Sequence, residues 1–481
     1  MKCEKLAGLQ PEGVFACFEK LCSIPHGSGN IEAISNYLKE FAESHGVRVI
    51  QDPVGDILWF QPATPGYEDH APVLLQGHMD MVCEKDPDCT LDMAKEPLDL
   101  THDDRFVFAR GTTLGGDDGI AVAYAMALLE DPAILHPPIE VLITVDEETG
   151  MTGAENIDMS QFSAMRLINL DSEDEGIFTV SCAGGASVLT KLPAKRKAVY
   201  GPCIRLTVEG LKGGHSGVEI NENRANANKM LGEFMGRVQK LMPLCLTSIS
   251  GGNKSNAIPR SASATMVAMG IGLERINDIA AALQQEIRDT YDEPNAIVRA
   301  DDVDVLGGNA LSTQDTAKVI GFLCACPNGV QAMCPDMPDL PQTSLNMGIV
   351  SMDEDSVNVL CSIRSSVNEE KMALGKKVME LAEFYDGKAE LMGHYPAWEY
   401  KHESALRDTM VAVYEKLYGQ KPQVVSIHAG LECGLLSDKK PGLDCVSIGP
   451  QMHDIHTSRE KLDIASTGRV WEYLLALLKE L

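Results

Sequence analysis

The chain has 481 residues, too many for one ordinary core at roughly 100 to 200 residues per domain, and its 44% hydrophobic and 23% charged content is that of a globular protein. Lys+Arg 41 against Asp+Glu 70 leaves a formal charge of −29, a field that repels phosphate backbones and anionic lipid and so excludes nucleic acid and membrane surfaces as natural partners. No leader or membrane-spanning run is readable, so a cytoplasmic location is the default expectation.

From Glu12 to His45 the apolar spacing predicts helices, broken by the turn "IPHGSGN", and "VRVIQDPVGDILWF" reads as strand, turn, strand. "APVLLQGHMDMV" is a continuous apolar strand of the kind buried on both faces of a parallel or mixed sheet. "DGIAVAYAMALLE" follows as a helix, "IEVLITVDEE" as a strand and "AMRLINLDSEDEG" as a strand ending in acids, an α/β alternation. The character shifts through the basic "TKLPAKRKAVYGP". Beyond it, "CIRLTVEG", "RANANKMLGEFMGRVQKLM", "SASATMVAMGI", "INDIAAALQQEIRDTY", "TSLNMGIV" and "SVNVLCSIRSS" describe an α+β domain of its own. From about Trp398 the helix "ALRDTMVAVYEKLYG", the strands "QVVSIHAG" and "CVSIGP" and the last helix resume the first pattern. The expected organisation is therefore a catalytic domain, residues 1–192 and 397–481, with residues 193–396 inserted.

The fourteen cysteines have no regular spacing and read as buried free thiols. The closest cluster, Cys324, Cys326 and Cys334, lacks the fourth ligand that structural zinc needs.

Polar residues recur where apolar strands run out: His78 and Asp80 in "LLQGHMD", Asp117 and Asp118 in "GTTLGGDDG", Asp146, Glu147 and Glu148 in "LITVDEETG", Asp171 in "LINLDSEDEG", and His453 and His456 in "SIGPQMHDIHTSRE". Singly each has an ordinary reading: an N-cap, a solvated turn, a hydrogen-bonded core histidine. Together they are five sets of metal-ligand type at the ends where open α/β sheets place their sites. Imidazole with carboxylate suits zinc and similar ions, and a two-metal site needs a carboxylate able to bridge. His78 and Asp80, two apart, share a strand face, so Asp80 reads as the clamp that fixes the His78 tautomer. Adjacent Glu147 and Glu148 need different jobs, one binding metal and one moving a proton.

The runs "IPHGSGN", "LQGHMDMV", "TTLGGDDGIA", "DEETGMTGA", "NLDSEDEG", "CAGG", "GLKGGHSG", "NKSNAIPR", "TSLNMG", "IRSS", "HAGLECG" and "HTSRE", in this order, resemble the M20 family of metallopeptidases, most closely its aminoacyl-histidine dipeptidase branch. The resemblance covers essentially the whole chain. It implies a zinc-peptidase-like catalytic domain, with a mixed sheet flanked by helices, and an inserted α+β lid and dimerisation domain. It implies two divalent ions, zinc first, with cobalt or manganese possible, held by His78, a bridging Asp117, Glu148, Asp171 and His456. Asp80 would orient His78 and Glu147 would be the general base.

His215 of "LKGGHSG" would serve the oxyanion, in some relatives from the partner subunit, and Asn256, Arg260 and Arg364 look like substrate contacts. The choices of Asp117 over Asp118 and of His456 over His453 rest on the resemblance. "GGDDG" departs from many relatives in lacking a lysine after the paired acids.

The expected activity is hydrolysis of small peptides, Xaa-His and other dipeptides, by a homodimer. Glu432 in "HAGLECG" is the candidate for the substrate ammonium, with a carboxylate that merely ties down its turn as the alternative. Two rivals are carried: an N-acyl amino acid deacylase on the same scaffold, and a non-catalytic metal-binding dimer, against which the intact Glu147 argues.

Overall fold

A computed structural model describes residues 4–268, 270, 272–335 and 337–481. The chain divides into two compact units, the first made of Met1–Ser181, Tyr400–Ser426 and Leu431–Leu481, the second of Cys182–Glu399 with Ile427–Gly430.

The first unit is built on an eight-stranded sheet in the order Arg48–Gln51, Ile57–Gln61, Ile139–Thr144, Val73–His78, Arg166–Asn169, Asp444–Ser447, Ile177–Cys182, Gln423–Ile427. Four neighbours in the middle run parallel: Ile139–Thr144, Val73–His78, Arg166–Asn169 and Asp444–Ser447. Every residue of Val73–His78 and of Ile139–Thr144 is buried, which is why both read as unbroken apolar runs rather than alternating ones. The helix Gly116–Glu130 packs against Val73–His78 and against the helix Glu12–Cys22. Its "GIAVAYAMALL" is buried on all sides, as a helix apolar all round must be. The last helix, Ile464–Glu480, is capped by Asp463, whose side chain accepts the Ser466 N–H.

A small four-stranded sheet, in the order Met452–His453, Lys461–Asp463, Phe106–Ala109, Leu100–His102, joins distant parts of the chain. Leu462 pairs with Val107 and Asp463 with Phe106. The loops bearing His456 and Asp117 are thereby led to the same place.

The second unit is a nine-stranded antiparallel sheet with the helices Ala227–Gln239, Leu273–Thr290, Thr313–Ala325 and Asn368–Phe384. Phe234, Phe322, Leu206 and Leu246 lie in one fully buried core there. The expected boundary at 192/193 falls at the end of the strand Gly184–Pro193, which pairs with Ser356–Ser365 from Gly184↔Ser365 to Pro193↔Ser356. The division lies at Ser181/Cys182, and the return at Glu399/Tyr400 instead of 396/397. The basic run marks exposed ends of strands: Lys191, Lys195 and Lys197 point outward within this unit's own sheet region.

Nine of the thirteen described cysteines are buried, in keeping with thiols used as small core residues. Cys326 lies against Cys361 at 3.8 Å between sulfurs, and the groups of metal-ligand type among the described residues include no cysteine.

Candidate metal centre

The parallel strands end on one edge, and that edge carries the chemistry. His78 is the last residue of its strand. Glu147 and Glu148 open the short helical turn Glu147–Gly150 beyond Ile139–Thr144, Asp171 follows Arg166–Asn169, and His456 lies in the loop between Met452–His453 and Lys461–Asp463. Asp117 sits at the start of Gly116–Glu130 with a non-helical backbone, φ −82° and ψ 105°.

One carboxylate stands between two imidazoles. Asp117 Oδ1 is 3.1 Å from His78 Nε2, and Asp117 Oδ2 is 3.0 Å from His456 Nε2. His456 Nε2 also lies 2.8 Å from Glu148 Oε1, and His78 Nε2 lies 3.6 Å from Asp171 Oδ1. Ligand-type atoms fall within 4.8 Å of one another in three overlapping groups: His78, Asp118 and Asp171; His78, Glu147 and Glu148; Asp117, Glu148 and His456. Asp118 is fully buried behind Asp117, with one oxygen accepting the His78 main-chain N–H at 3.2 Å and the other unpartnered. A Cβ on Gly77 would stand 2.4 Å from that bonded oxygen, so the approach requires glycine. His453 is elsewhere: exposed, its ring edge-on to Phe106.

Asp80 lies beyond the strand end and acts in two ways. Its main-chain carbonyl accepts the Nδ1–H of His78 at 3.0 Å, closer than its carboxylate at 3.5 Å. The carboxylate instead accepts the Glu147 main-chain N–H at 3.1 Å and the Ser28 hydroxyl at 2.7 Å. The expected clamp on His78 is therefore mainly the backbone, whereas the side chain holds the Glu147 turn. Ser28, from "IPHGSGN", was not foreseen; a serine in a Gly-rich turn carries no signal of its own.

Glu432 is engaged through one carboxylate oxygen. It is fully buried, and its Oε2 accepts from Gln76 Nε2 at 2.5 Å and from the Thr144 hydroxyl at 2.6 Å. Gln76 in turn accepts from Asn169 Nδ2 at 2.6 Å, forming a polar layer across three parallel strands. Glu432 has no solvent-exposed surface; Oε2 ties these strands to its turn, and Oε1 is buried without a partner. Burial raises its pKa to about 7.

The donor set fits divalent cations. Five carboxylates, Asp117, Asp118, Glu147, Glu148 and Asp171, face two imidazoles, a mixture suited to zinc-type ions. Burial pushes Asp118 and Glu147 well above the usual carboxylate range and Asp171 up to about 6, with neighbouring acids adding repulsion. Asp117 goes the other way: burial opposes its charge, but hydrogen bonds with His456 and His78 hold it low. The same contacts with Asp117 and Glu148 raise His456 to about 10. Crowded negative charge of this kind is what bound cations neutralise.

In the second unit, "LKGGHSG" and "NKSNAIPR" meet. Gly214–His215 pairs with Ala257–Ile258, and the Ser216 N–H donates to the Asn256 carbonyl at 2.9 Å. His215, Asn256 and Arg260 line one cavity of about 980 Å³. Arg364 is outside that lining, with Nη1 3.5 Å from the Tyr395 hydroxyl and Nε buried without a partner. Burial, then the nearby Arg364 charge, lowers the pKa of His215.

The sequence profile of peptidase family M20/M25/M40 matches residues 74–480. The cytosol non-specific dipeptidase of Escherichia coli (strain K12) is 37% identical over 481 residues, 99% of each chain. The crystal structure of aminoacylhistidine dipeptidase from Vibrio alginolyticus superposes with a TM-score of 0.92 at 36% identity, covering 99% of this chain and 98% of that one. Aminopeptidase PepT of Bacillus cereus shares the fold at a TM-score of 0.57 and 17% identity, over 98% of this chain and 99% of its own. The chain belongs to peptidase family M20/M25/M40.

Proposed function

We propose that the protein hydrolyses dipeptides with two divalent metal ions, zinc in first place and cobalt or manganese as substitutes. The observation that carries this reading is the Asp117 carboxylate, with one oxygen 3.1 Å from His78 Nε2 and the other 3.0 Å from His456 Nε2, the arrangement a bridging ligand needs. Two relatives at 37% and 36% identity, matched over almost their whole length, bear dipeptidase names, which supports the substrate class.

In this reading His78, Asp117, Glu148, Asp171 and His456 hold the ions, with Asp117 shared. Bound divalent ions would supply Lewis acidity toward the peptide carbonyl and acidify water. Glu147 takes the proton of the attacking water and returns it to the leaving amine. Asp80 keeps that base in place through its bond to the Glu147 main chain. His215 would serve the oxyanion, and Asn256, Arg260 and Arg364 the substrate, the guanidinium groups being suited to a terminal carboxylate.

Assembly as a homodimer through the inserted unit is part of the proposal. Its sheet ends on the strand Ile297–Leu311, where Val305 and Leu306 are exposed, and open edges of this kind pair with other chains. Mixing an inactive Glu147→Gln chain with an inactive His215→Ala chain should restore activity if His215 serves the partner. A cytosolic setting accords with the name of the Escherichia coli relative, and no helix among the described residues is long and apolar enough to cross a membrane.

The test is a panel of free dipeptides and N-acyl amino acids, assayed with zinc, cobalt, manganese or a chelator. Metal-dependent cleavage of dipeptides, in preference to the N-acyl compounds, is expected. Preference for the N-acyl compounds would instead make the protein a deacylase.

A further inference from the structure

The loop that bears His456 ends in a buried carboxylate. Glu460 is 3% exposed, and its two oxygens accept four successive main-chain N–H groups. Leu114 and Gly115 donate to Oε2 at 2.7 and 3.1 Å, and Gly116 and Asp117 to Oε1 at 2.7 and 3.4 Å. These residues lead into the helix Gly116–Glu130, whose first turn presents unsatisfied donors and the positive end of the helix dipole. The N-cap residue is Gly115, which has no side chain to satisfy them. The donors are met instead by a residue 343 to 346 positions away.

The contact is built for closeness. A Cβ on Gly116 would stand 3.2 Å from Glu460 Oε1 and 3.1 Å from Met452 Sδ, so a side chain there would press on both. The pairing of Leu462 with Val107 and of Asp463 with Phe106 brings the two chain segments together, and Glu460 lies just ahead of that strand. On one side of the contact is Asp117; four residues before Glu460 is His456; their side chains meet at 3.0 Å.

We propose that Glu460 is a positioning residue that sets Asp117 against His456. By holding the main chain of residues 114–117 to the loop of residues 456–460, it fixes the spacing at which one carboxylate can serve two metal sites. The inference rests on the two-metal reading above. A carboxylate that only stapled the fold would influence stability and leave the metal centre unchanged, and that difference is measurable.

The experiment titrates Co²⁺ into metal-free wild type, Glu460→Gln and Glu460→Asp, reading stoichiometry by equilibrium dialysis and the cobalt d–d spectrum, and records the melting temperature of each metal-free protein. Wild type should bind two ions. Glu460→Gln should keep its fold but bind one ion about 10- to 100-fold more weakly, the range for loss of a group supporting a ligand, with an altered spectrum. Glu460→Asp, which keeps the charge, should recover part of the affinity. Wild-type affinity and spectrum in Glu460→Gln would overturn the proposal, as would failure of both variants to fold without metal, which would assign Glu460 to the fold. Fewer than two ions in wild type would strike the two-metal reading itself and this inference with it.

Discussion

The carboxylate of Asp80 accepts the main-chain N–H of Glu147 at 3.1 Å, so the residue that faces His78 also anchors the base. Because the His78 Nδ1–H is held chiefly by the Asp80 carbonyl, which any substitution retains, truncating the side chain should disturb Glu147 more than His78. Asp80→Ala is expected to lower kcat by about 10- to 100-fold with both ions still bound. Steady-state kinetics with elemental analysis checks this, and loss of metal at unchanged turnover per bound centre would refute it.

Glu147 and Glu148 should separate cleanly. Glu147→Gln cannot accept a proton, so kcat is expected to fall by about 10²- to 10⁴-fold while metal content survives. Glu148→Ala removes an oxygen 2.8 Å from His456 Nε2 and should lower metal occupancy. Metal loss in Glu147→Gln would contradict this division of labour.

Glu432 is expected to be structural. Glu432→Ala leaves the buried Gln76 amide and Thr144 hydroxyl without their shared acceptor, at a cost of about 1–3 kcal/mol in stability. It should change kcat/KM for free and N-acetylated dipeptides in equal proportion. A loss confined to free dipeptides would return Glu432 to the role of ammonium contact.

Asp56 makes a pH prediction. It is fully buried, one oxygen accepts the Val145 N–H at 2.9 Å, the other has no partner, and burial raises its pKa to about 9, with Asp52 and Glu432 adding repulsion. The folded state thus keeps a proton that the unfolded chain releases near pH 4, so this stabilisation is complete below about pH 4 and is lost as pH rises toward 9. Asp56→Asn mimics the protonated form. Between about pH 5 and pH 8, metal-free wild type should lose at least ~1 kcal/mol relative to Asp56→Asn in urea denaturation. A pH-independent difference would mean that Asp56 is ionised in the fold.

What was legible in the sequence was local. Apolar strands ending in His78, the Glu147–Glu148 pair and Asp171 announce an α/β edge with metal chemistry, because the strand and its terminal residues are contiguous. What was not legible depends on contacts made across the chain. Spacing could not choose His456 over His453; the hairpin does, turning one toward Asp117 and the other onto Phe106. Nothing near Glu460 in "HTSRE" signals its role, because its four donors lie more than three hundred residues earlier. Glu432 stood in a Gly-flanked turn, but only packing reveals that Gln76 and Thr144 bond its Oε2. The basic run around Lys191 to Lys197 carries a signal of exposure, and in the fold those residues belong to strands of one sheet and the connection between them.

The most direct test of the account is the initial rate of hydrolysis of a free dipeptide, measured on metal-stripped protein as zinc is added in known equivalents. The account predicts a rate near zero without metal that rises to a plateau at two equivalents per chain. Full activity in the stripped protein, or none at any loading with zinc, cobalt or manganese, would contradict it.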